Sequence, residues 1–190
     1  MITDRPPRKA SRITEYLASD QLTNLELPPN GELQAAAKAI ESVMKDGTPV
    51  AVRRACLEFL GVAANFYRVP KLELRVLSAR PLRAREGGWA SELFADYTPK
   101  TMLIRIWTRT AVRKQVTSYG TFLSTLCHEF CHHLDCQRLG FRNSPHTRGF
   151  YQRTAVLYHH ARGTPMKRLV WVKIPDGRWR IDWQQMNRAR

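Results

Sequence analysis

The segment from Tyr119 to Leu139 constrains the fold of this chain more than any other, because its apolar residues keep a helical period. They recur at spacings of three and four, which predicts an amphipathic helix with one buried face. The positions on that face are Leu123, Leu126, Cys127, Phe130 and Leu134. His128 and His132 lie one turn apart and point nearly opposite to the apolar face. The sequence therefore predicts a helix that packs by one side and presents two histidines on the other.

The two histidines and the glutamate beside the first of them form a pattern typical of a metal-binding helix. In His128-Glu129-x-x-His132 the two imidazoles can share one cation, with metal–nitrogen bonds of about 2.0–2.1 Å. Glu129 lies about 100° further round the helix. It is too offset to join the ligands, but it can reach a water molecule that the cation activates, as a general base does. The alternative is a pair of exposed histidines that bind nothing.

A catalytic zinc site needs a third protein ligand and an open position. No glutamate follows Glu129, so a glutamate from a later helix is excluded. Asp135 lies about 4.5 Å along the helix axis beyond His132. We expect it to accept a hydrogen bond behind a ligand, or to lie solvated at the helix end. His146 fits best, because the loop before it is long enough to turn back toward the helix. We therefore predict Zn²⁺ bound by His128, His132 and His146.

These residues resemble the SprT-like metalloprotease family. The resemblance rests on His128-Glu129-Phe130-Cys131-His132 followed by Pro145-His146-Thr147-Arg148-Gly149-Phe150. In that family a loop carries a third histidine, and the next helix begins with a glycine and an aromatic residue. Here the glycine follows His146 by three residues, and the zinc ribbon of many members is missing. The resemblance implies a zinc-dependent peptidase acting on protein substrates associated with DNA. It also implies that extended substrate pairs with an edge strand beside the metal helix, and it leaves open which strand.

The charge of the chain favours anionic partners. The net charge is +15, and after Glu129 there are 12 Lys and Arg residues against 3 Asp, an excess of +9. A field of this sign attracts the phosphate backbone of DNA or another anionic surface. The alternative is that the protein is merely basic and soluble.

The cysteines indicate a reducing compartment. None of the four forms a Cys-x-x-Cys pair, and Cys127, Cys131 and Cys136 share one predicted helix, where disulfides cannot form. The sequence also shows no signal-peptide pattern and no apolar run that approaches a membrane span. We therefore expect an intracellular, cytoplasmic protein without membrane association, and by its charge and resemblance one that is found with the nucleoid.

The rest of the chain predicts an α+β, zincin-like domain. Residues 1–30 are expected to form a flexible basic arm, residues 31–163 the metalloprotease domain, and residues 164–190 a tryptophan-rich appendage. The predicted helices before the metal helix are Ile13–Leu22, Leu33–Lys45 and Val50–Tyr67, and the predicted strands are Leu72–Leu77, Trp89–Tyr97 and Thr101–Trp107. A helix after His146 carries Tyr151 and Tyr158, which are candidates either for contacting an oxyanion or for core packing.

The sequence of the appendage predicts a β-hairpin, with strands over Leu169–Ile174 and Arg178–Trp183 around a Pro-Asp-Gly turn. Its tryptophans alternate with Lys173, Arg178 and Arg180, which suits contacts with nucleic acid. Equally, the tryptophans can fix the hairpin to the domain. Because the two arginines share one face of their strand, we expect that face to point outward toward phosphates. The competing function is therefore a non-catalytic, zinc-containing nucleic-acid-binding module.

Overall fold

The computed structural model describes residues 1–29, 31–46, 48–84 and 90–188 of the 190-residue chain. The helices are α1 (Ala10–Gln21), α2 (Glu32–Asp46), α3 (Pro49–Tyr67), α4 (Tyr119–Leu134), α5 (Arg148–Arg162) and α6 (Trp183–Arg188). The strands are β1 (Glu73–Ala79), β2 (Leu82–Ala84), β3 (Ala90–Glu92), β4 (Ala95–Thr98), β5 (Leu103–Arg109), β6 (Trp171–Lys173) and β7 (Trp179–Ile181). The predicted α+β class is confirmed. No helix in these ranges is both long enough and apolar enough to cross a membrane.

The central sheet has the strand order β1-β5-β4, with β1 parallel and β4 antiparallel to β5. The strand predicted over Trp89–Tyr97 differs from the structure. Trp89 lies outside the described residues, and the remainder forms two strands, because β3 pairs with β2 while β4 pairs with β5. The break falls at Phe94, whose ring stacks under the guanidinium of Arg80 at 3.6 Å. As a result β4 is an edge strand, and it lies against α4.

Helix α4 forms as its periodicity predicts. Its apolar stripe is at most 1% exposed and joins α2, α3, α5 and the sheet in one core. The helix begins after Ser118, whose hydroxyl accepts a hydrogen bond from the Thr121 amide. Beyond Leu134 the chain continues as one π-helical turn over Asp135–Leu139 and ends at Gly140, where φ is 78°. A left-handed residue of this kind is the usual helix stop, and glycine adopts it without strain.

The beginning of the arm predicted over residues 1–30 pairs with the rest of the chain in the structure. The Thr3 amide donates to the Trp179 carbonyl and the Asp4 amide to the His146 carbonyl, both at 2.8 Å. Ile2 forms a β-bridge with Arg180. The physical reason is that the backbone groups of this segment pair with those of β7, which composition cannot reveal.

Helix α1 packs closely against the first turn of α5. A Cβ added to Gly149 would lie 2.0 Å from the Ser19 carbonyl oxygen and 2.7 Å from that of Leu22. Such an approach of two backbones is open only to glycine. The glycine near the start of α5 therefore allows the end of α1 to reach the residues behind the histidines.

The predicted hairpin is present, although its strands are shorter than expected. β6 and β7 pair antiparallel around a turn at Gly177, where φ is 82°. Trp183, predicted to end the second strand, instead begins α6. The carboxylate of Asp182 accepts hydrogen bonds from the amides of Gln184 and Gln185, each at 3.0 Å. Such an aspartate cap favours a helix start over further strand.

Candidate metal centre

Three histidine side chains converge at one point. His128 and His132 come from α4, and His146 comes from the loop before α5. Their Nε2 atoms are 3.0 Å apart for His128–His146, 3.1 Å for His132–His146 and 3.2 Å for His128–His132. Nitrogen ligands of one tetrahedral zinc ion lie about 3.3 Å apart, given bonds of about 2.0–2.1 Å. The observed separations are close to that value, so the cluster fits a shared cation. The structure thus brings together all three predicted ligands.

The environment keeps the imidazoles of His128 and His132 in the form that a metal requires. Burial lowers the pKa of His128 to about 3 and holds the pKa of His132 well below its usual range. Both rings are therefore neutral at pH 7, as ligands must be. The Nδ1 atom of His132 lies 2.7 Å from the Ser144 hydroxyl, and that of His146 lies 3.4 Å from an Asp4 carboxylate oxygen. With both Nδ1–H groups directed at oxygen acceptors, the Nε2 lone pairs face one another, an arrangement that a cation stabilises.

Aromatic rings hold the histidine cluster from the side of α5. Phe150 stacks on His132 with a centroid distance of 4.5 Å and meets His128 edge-on at 4.9 Å. Tyr151 stacks on His146 at 5.7 Å, and its hydroxyl donates to the Ile2 carbonyl at 3.1 Å. The Tyr151 hydroxyl is thus engaged with the backbone, which favours its interpretation as a packing residue.

Glu129 lies where two cavities meet. Glu129 is 6% exposed and, together with His128 and Ala95, lines both cavities. Burial raises the pKa of Glu129 to about 8, and a cation bound by the neighbouring histidines opposes that rise. A buried carboxyl group with a pKa near neutrality suits proton transfer.

The two cavities extend in opposite directions along β4. The larger has a volume of about 980 Å³, and its lining includes Phe94, Tyr119, Tyr158 and Arg162. The smaller, of about 400 Å³, is walled by polar groups that include Asp96, Arg142 and Asn143. Of the two tyrosines considered from the sequence, Tyr158 is the one in the larger cavity, where its hydroxyl accepts a hydrogen bond from Arg162.

Asp135 is neither a ligand in the histidine cluster nor a solvated charge. It is fully buried with Arg153, which donates to its two carboxylate oxygens at 2.9 and 3.1 Å. The Ser144 hydroxyl also donates to it, at 3.0 Å, and so stands between Asp135 and His132. Burial raises the pKa of Asp135 to about 6 and the guanidinium opposes that rise, so the carboxylate is ionised at neutral pH.

The other helix histidine serves the packing of the sheet. His133 is buried, and its ring nitrogens contact the Tyr97 hydroxyl at 2.8 Å and the Pro70 carbonyl at 2.9 Å. Because a carbonyl can only accept, the proton lies on Nε2, and Nδ1 accepts from Tyr97. This contact ties the edge strand β4 to α4.

The hairpin presents part of the predicted basic face. Lys173 and Arg180 are exposed, whereas Arg178 donates from Nε to the Asp176 carboxylate at 2.6 Å. The guanidinium of Arg148 lies over the Trp179 ring at 4.5 Å, on the opposite face of the strand. The tryptophan side therefore packs inward and Arg180 points outward. The predicted contacts of Lys173, Arg178 and Arg180 with nucleic acid remain a prediction.

Comparisons of the chain with protein-family models, with curated proteins and with solved structures find no match. The interpretation of the site therefore depends on its own geometry. Sequence reasoning missed Asp4, Ser144 and the partner of Asp135. A hydroxyl two residues before the third histidine was a readable signal for Ser144. No local pattern connects Asp4 with a loop 142 residues later.

Proposed function

We propose that this protein is a zinc-dependent peptidase of the SprT-like type. One observation carries the proposal: three Nε2 atoms converge within 3.2 Å of one another beside a buried glutamate at the meeting point of two cavities. No fourth His, Cys, Asp or Glu joins the cluster in the part of the chain that the structure describes. Three protein ligands with one position left for water or substrate are typical of catalytic zinc, whereas structural zinc has four.

Different residues of the site take different parts in the proposed reaction. His128, His132 and His146 hold the cation, which when bound supplies Lewis-acid polarisation of a carbonyl group and lowers the pKa of water. Glu129 accepts a proton from the attacking water and donates it to the leaving amine. Tyr158, in the larger cavity, is our candidate for the group that contacts the developing oxyanion.

The edge strand β4 is our candidate for the strand that pairs with substrate. The Trp107 amide donates to the Phe94 carbonyl at 3.1 Å, so the backbone groups of Phe94 point toward β5. In an antiparallel pair these directions alternate, so Ala95 and Tyr97 direct their backbone N–H and C=O groups to the open edge. Ala95 lines both cavities and Tyr97 the smaller one. An extended polypeptide bonded there would cross in front of Glu129.

Loss of Glu129 tests the proposal. We expect wild-type protein loaded with Zn²⁺ to cleave an unfolded protein such as casein, and the Glu129→Gln variant to keep its zinc and its fold but lose cleavage by at least about 100-fold. Cleavage products are followed by mass spectrometry and zinc by elemental analysis. Equal cleavage by the two proteins would show a contaminant or a different base. No cleavage by either, with and without DNA, would favour the non-catalytic nucleic-acid-binding module.

We further propose that the basic hairpin brings the enzyme to substrates on DNA. Arg180 is exposed without an ion-pair partner among the described residues, whereas the charge of Arg178 is offset by Asp176. Arg180→Glu should therefore weaken binding more than Arg178→Glu, and should flatten the dependence of affinity on salt. Fluorescence anisotropy with single-stranded and duplex DNA measures both effects. Absence of affinity for either at low salt would remove DNA as a partner.

A further inference from the structure

Ser144 connects one of the three clustered histidines to a buried carboxylate. Its Oγ atom lies 2.7 Å from His132 Nδ1 and 3.0 Å from Asp135 Oδ2, and the residue is 7% exposed. The chemistry of the groups fixes the direction of both hydrogen bonds. An ionised carboxylate can only accept, so the hydroxyl proton points to Asp135, and the oxygen lone pair accepts from His132. His132 therefore carries its proton on Nδ1 and presents a bare Nε2 to the other histidines.

The carboxylate of Asp135, to which the Ser144 hydroxyl donates, is held rigidly. Arg153, fully buried, donates to both oxygens of Asp135 and also to the carbonyl oxygens of Ser19 and Leu22 at the end of α1. A guanidinium stays charged at any accessible pH and fixes a carboxylate by its planar fork. The Ser144 hydroxyl therefore binds an acceptor that can neither rotate freely nor move toward solvent.

The backbone at Ser144 adopts a conformation that serine seldom takes. Its φ is 39°, in the left-handed region that glycine adopts without strain. The loop does not need the hydroxyl for its shape, because the Ser144 amide donates to the Phe141 carbonyl and Glu15 accepts hydrogen bonds from Asn143. A strained serine whose hydroxyl makes no bond within its own loop indicates that the side chain serves the groups it touches.

We propose that Ser144 is a positioning residue for the metal centre. Its hydroxyl is anchored by the Asp135–Arg153 ion pair and accepts a hydrogen bond from His132. This hydrogen bond fixes the orientation of the His132 ring and the tautomer in which Nε2 binds a divalent cation. This inference rests on the metal-binding part of the proposed function and is independent of peptide hydrolysis. The outer partners of metal-binding histidines typically set metal affinity over about 10–100-fold.

Two substitutions separate positioning from a merely structural role. Ser144→Ala removes the hydroxyl and keeps the strained backbone, whereas Ser144→Gly removes the hydroxyl and relieves the strain. We expect both variants to lose zinc affinity by about 10–100-fold, measured by competition with a chromophoric chelator. The metal-free glycine variant should nevertheless unfold at a temperature close to that of the wild type, because relief of the backbone strain offsets the loss of the two hydrogen bonds. Thr154→Val is the matched control, because it removes a buried hydroxyl that bonds the Phe150 carbonyl and makes no hydrogen bond to the histidines.

Four results of these measurements lead to different conclusions about Ser144 and the metal centre. If Ser144→Gly binds zinc within about threefold of the wild type, the hydroxyl does not position His132 and the inference is wrong. If both variants lose thermal stability while zinc affinity stays unchanged, Ser144 is a structural residue only. If wild-type protein binds no zinc, the metal centre and this inference fail together. If zinc binds but no peptide is cleaved, the peptidase proposal fails while the role of Ser144 stands.

Discussion

His132 and His146 belong to the same cluster, but the protein supports them in different ways. Behind His132, Ser144 connects to an ion pair between Asp135 and Arg153 in which both side chains are 0% exposed. Behind His146 stands Asp4 alone, at 3.4 Å, with 52% of its side chain exposed. One ligand is held from the interior and the other from the surface.

This contrast separates the energetic roles of the two supports. A buried ion pair is costly to break, because the remaining charge has no water to solvate it. An exposed pair contributes little, because water and salt screen it. We infer that the interior support determines both stability and the position of His132, whereas the surface support adjusts His146 by a small amount.

Removal of Arg153 should give the largest effect. Arg153→Met leaves Asp135 as an unpaired buried charge, and we expect the free energy of unfolding of the metal-free protein to fall by about 3–5 kcal/mol. Urea denaturation followed by circular dichroism measures the change. The double variant Arg153→Met with Asp135→Leu is the control and should recover most of the loss, since no charge is left unpaired. A single variant as stable as the wild type would contradict the contrast between the two supports.

The same contrast explains how far sequence reasoning reached. The apolar period of α4 indicated the helix, its stop at Gly140 and the phase of His128 and His132, because all of these depend on neighbours within a few turns. His146 followed by exclusion. Ser144 and the partner of Asp135 were missed, since their contacts arise when α1, the loop and α5 meet. Asp4 was assigned to a flexible arm because composition reports charge and not pairing.

The second-largest effect on stability is expected at Glu129, a buried carboxyl group that forms no ion pair in the described part of the structure. The folded-state pKa of Glu129 is about 8 against an ordinary value of 4.5, so between these values the folded protein holds a proton that the unfolded chain has released. Stability is therefore lost as the pH rises from 4.5 to 8. Glu129→Gln does not titrate, and its metal-free form should exceed the wild type in stability by about 3 kcal/mol at pH 7.

Urea denaturation of both metal-free proteins at pH 5, 6, 7 and 8 tests this expectation. The difference should be small near pH 5 and grow toward pH 8. A difference that stays constant with pH would show that the Glu129 pKa is not raised. Saturation of both proteins with zinc is the control, because a cation beside the carboxylate lowers its pKa and should shrink the difference.

The smallest effect is expected at the surface support. Asp4→Asn removes the charge beside His146 but keeps an oxygen that can accept from the His146 amide, which now donates to the Asp4 carboxylate at 2.9 Å. Because the side chain is half exposed, we expect stability to change by less than about 1 kcal/mol. Zinc affinity should fall by less than about tenfold, at the low end of the range for such partners.

The loss should shrink further in 0.5 M salt, since screening already weakens the pair in the wild type. Chelator competition at low and high salt measures it, with Ser144→Ala in parallel as the interior counterpart, whose loss should not depend on salt. An Asp4→Asn loss that equals or exceeds that of Ser144→Ala, and that persists at high salt, would show that both ligands are held with equal strength.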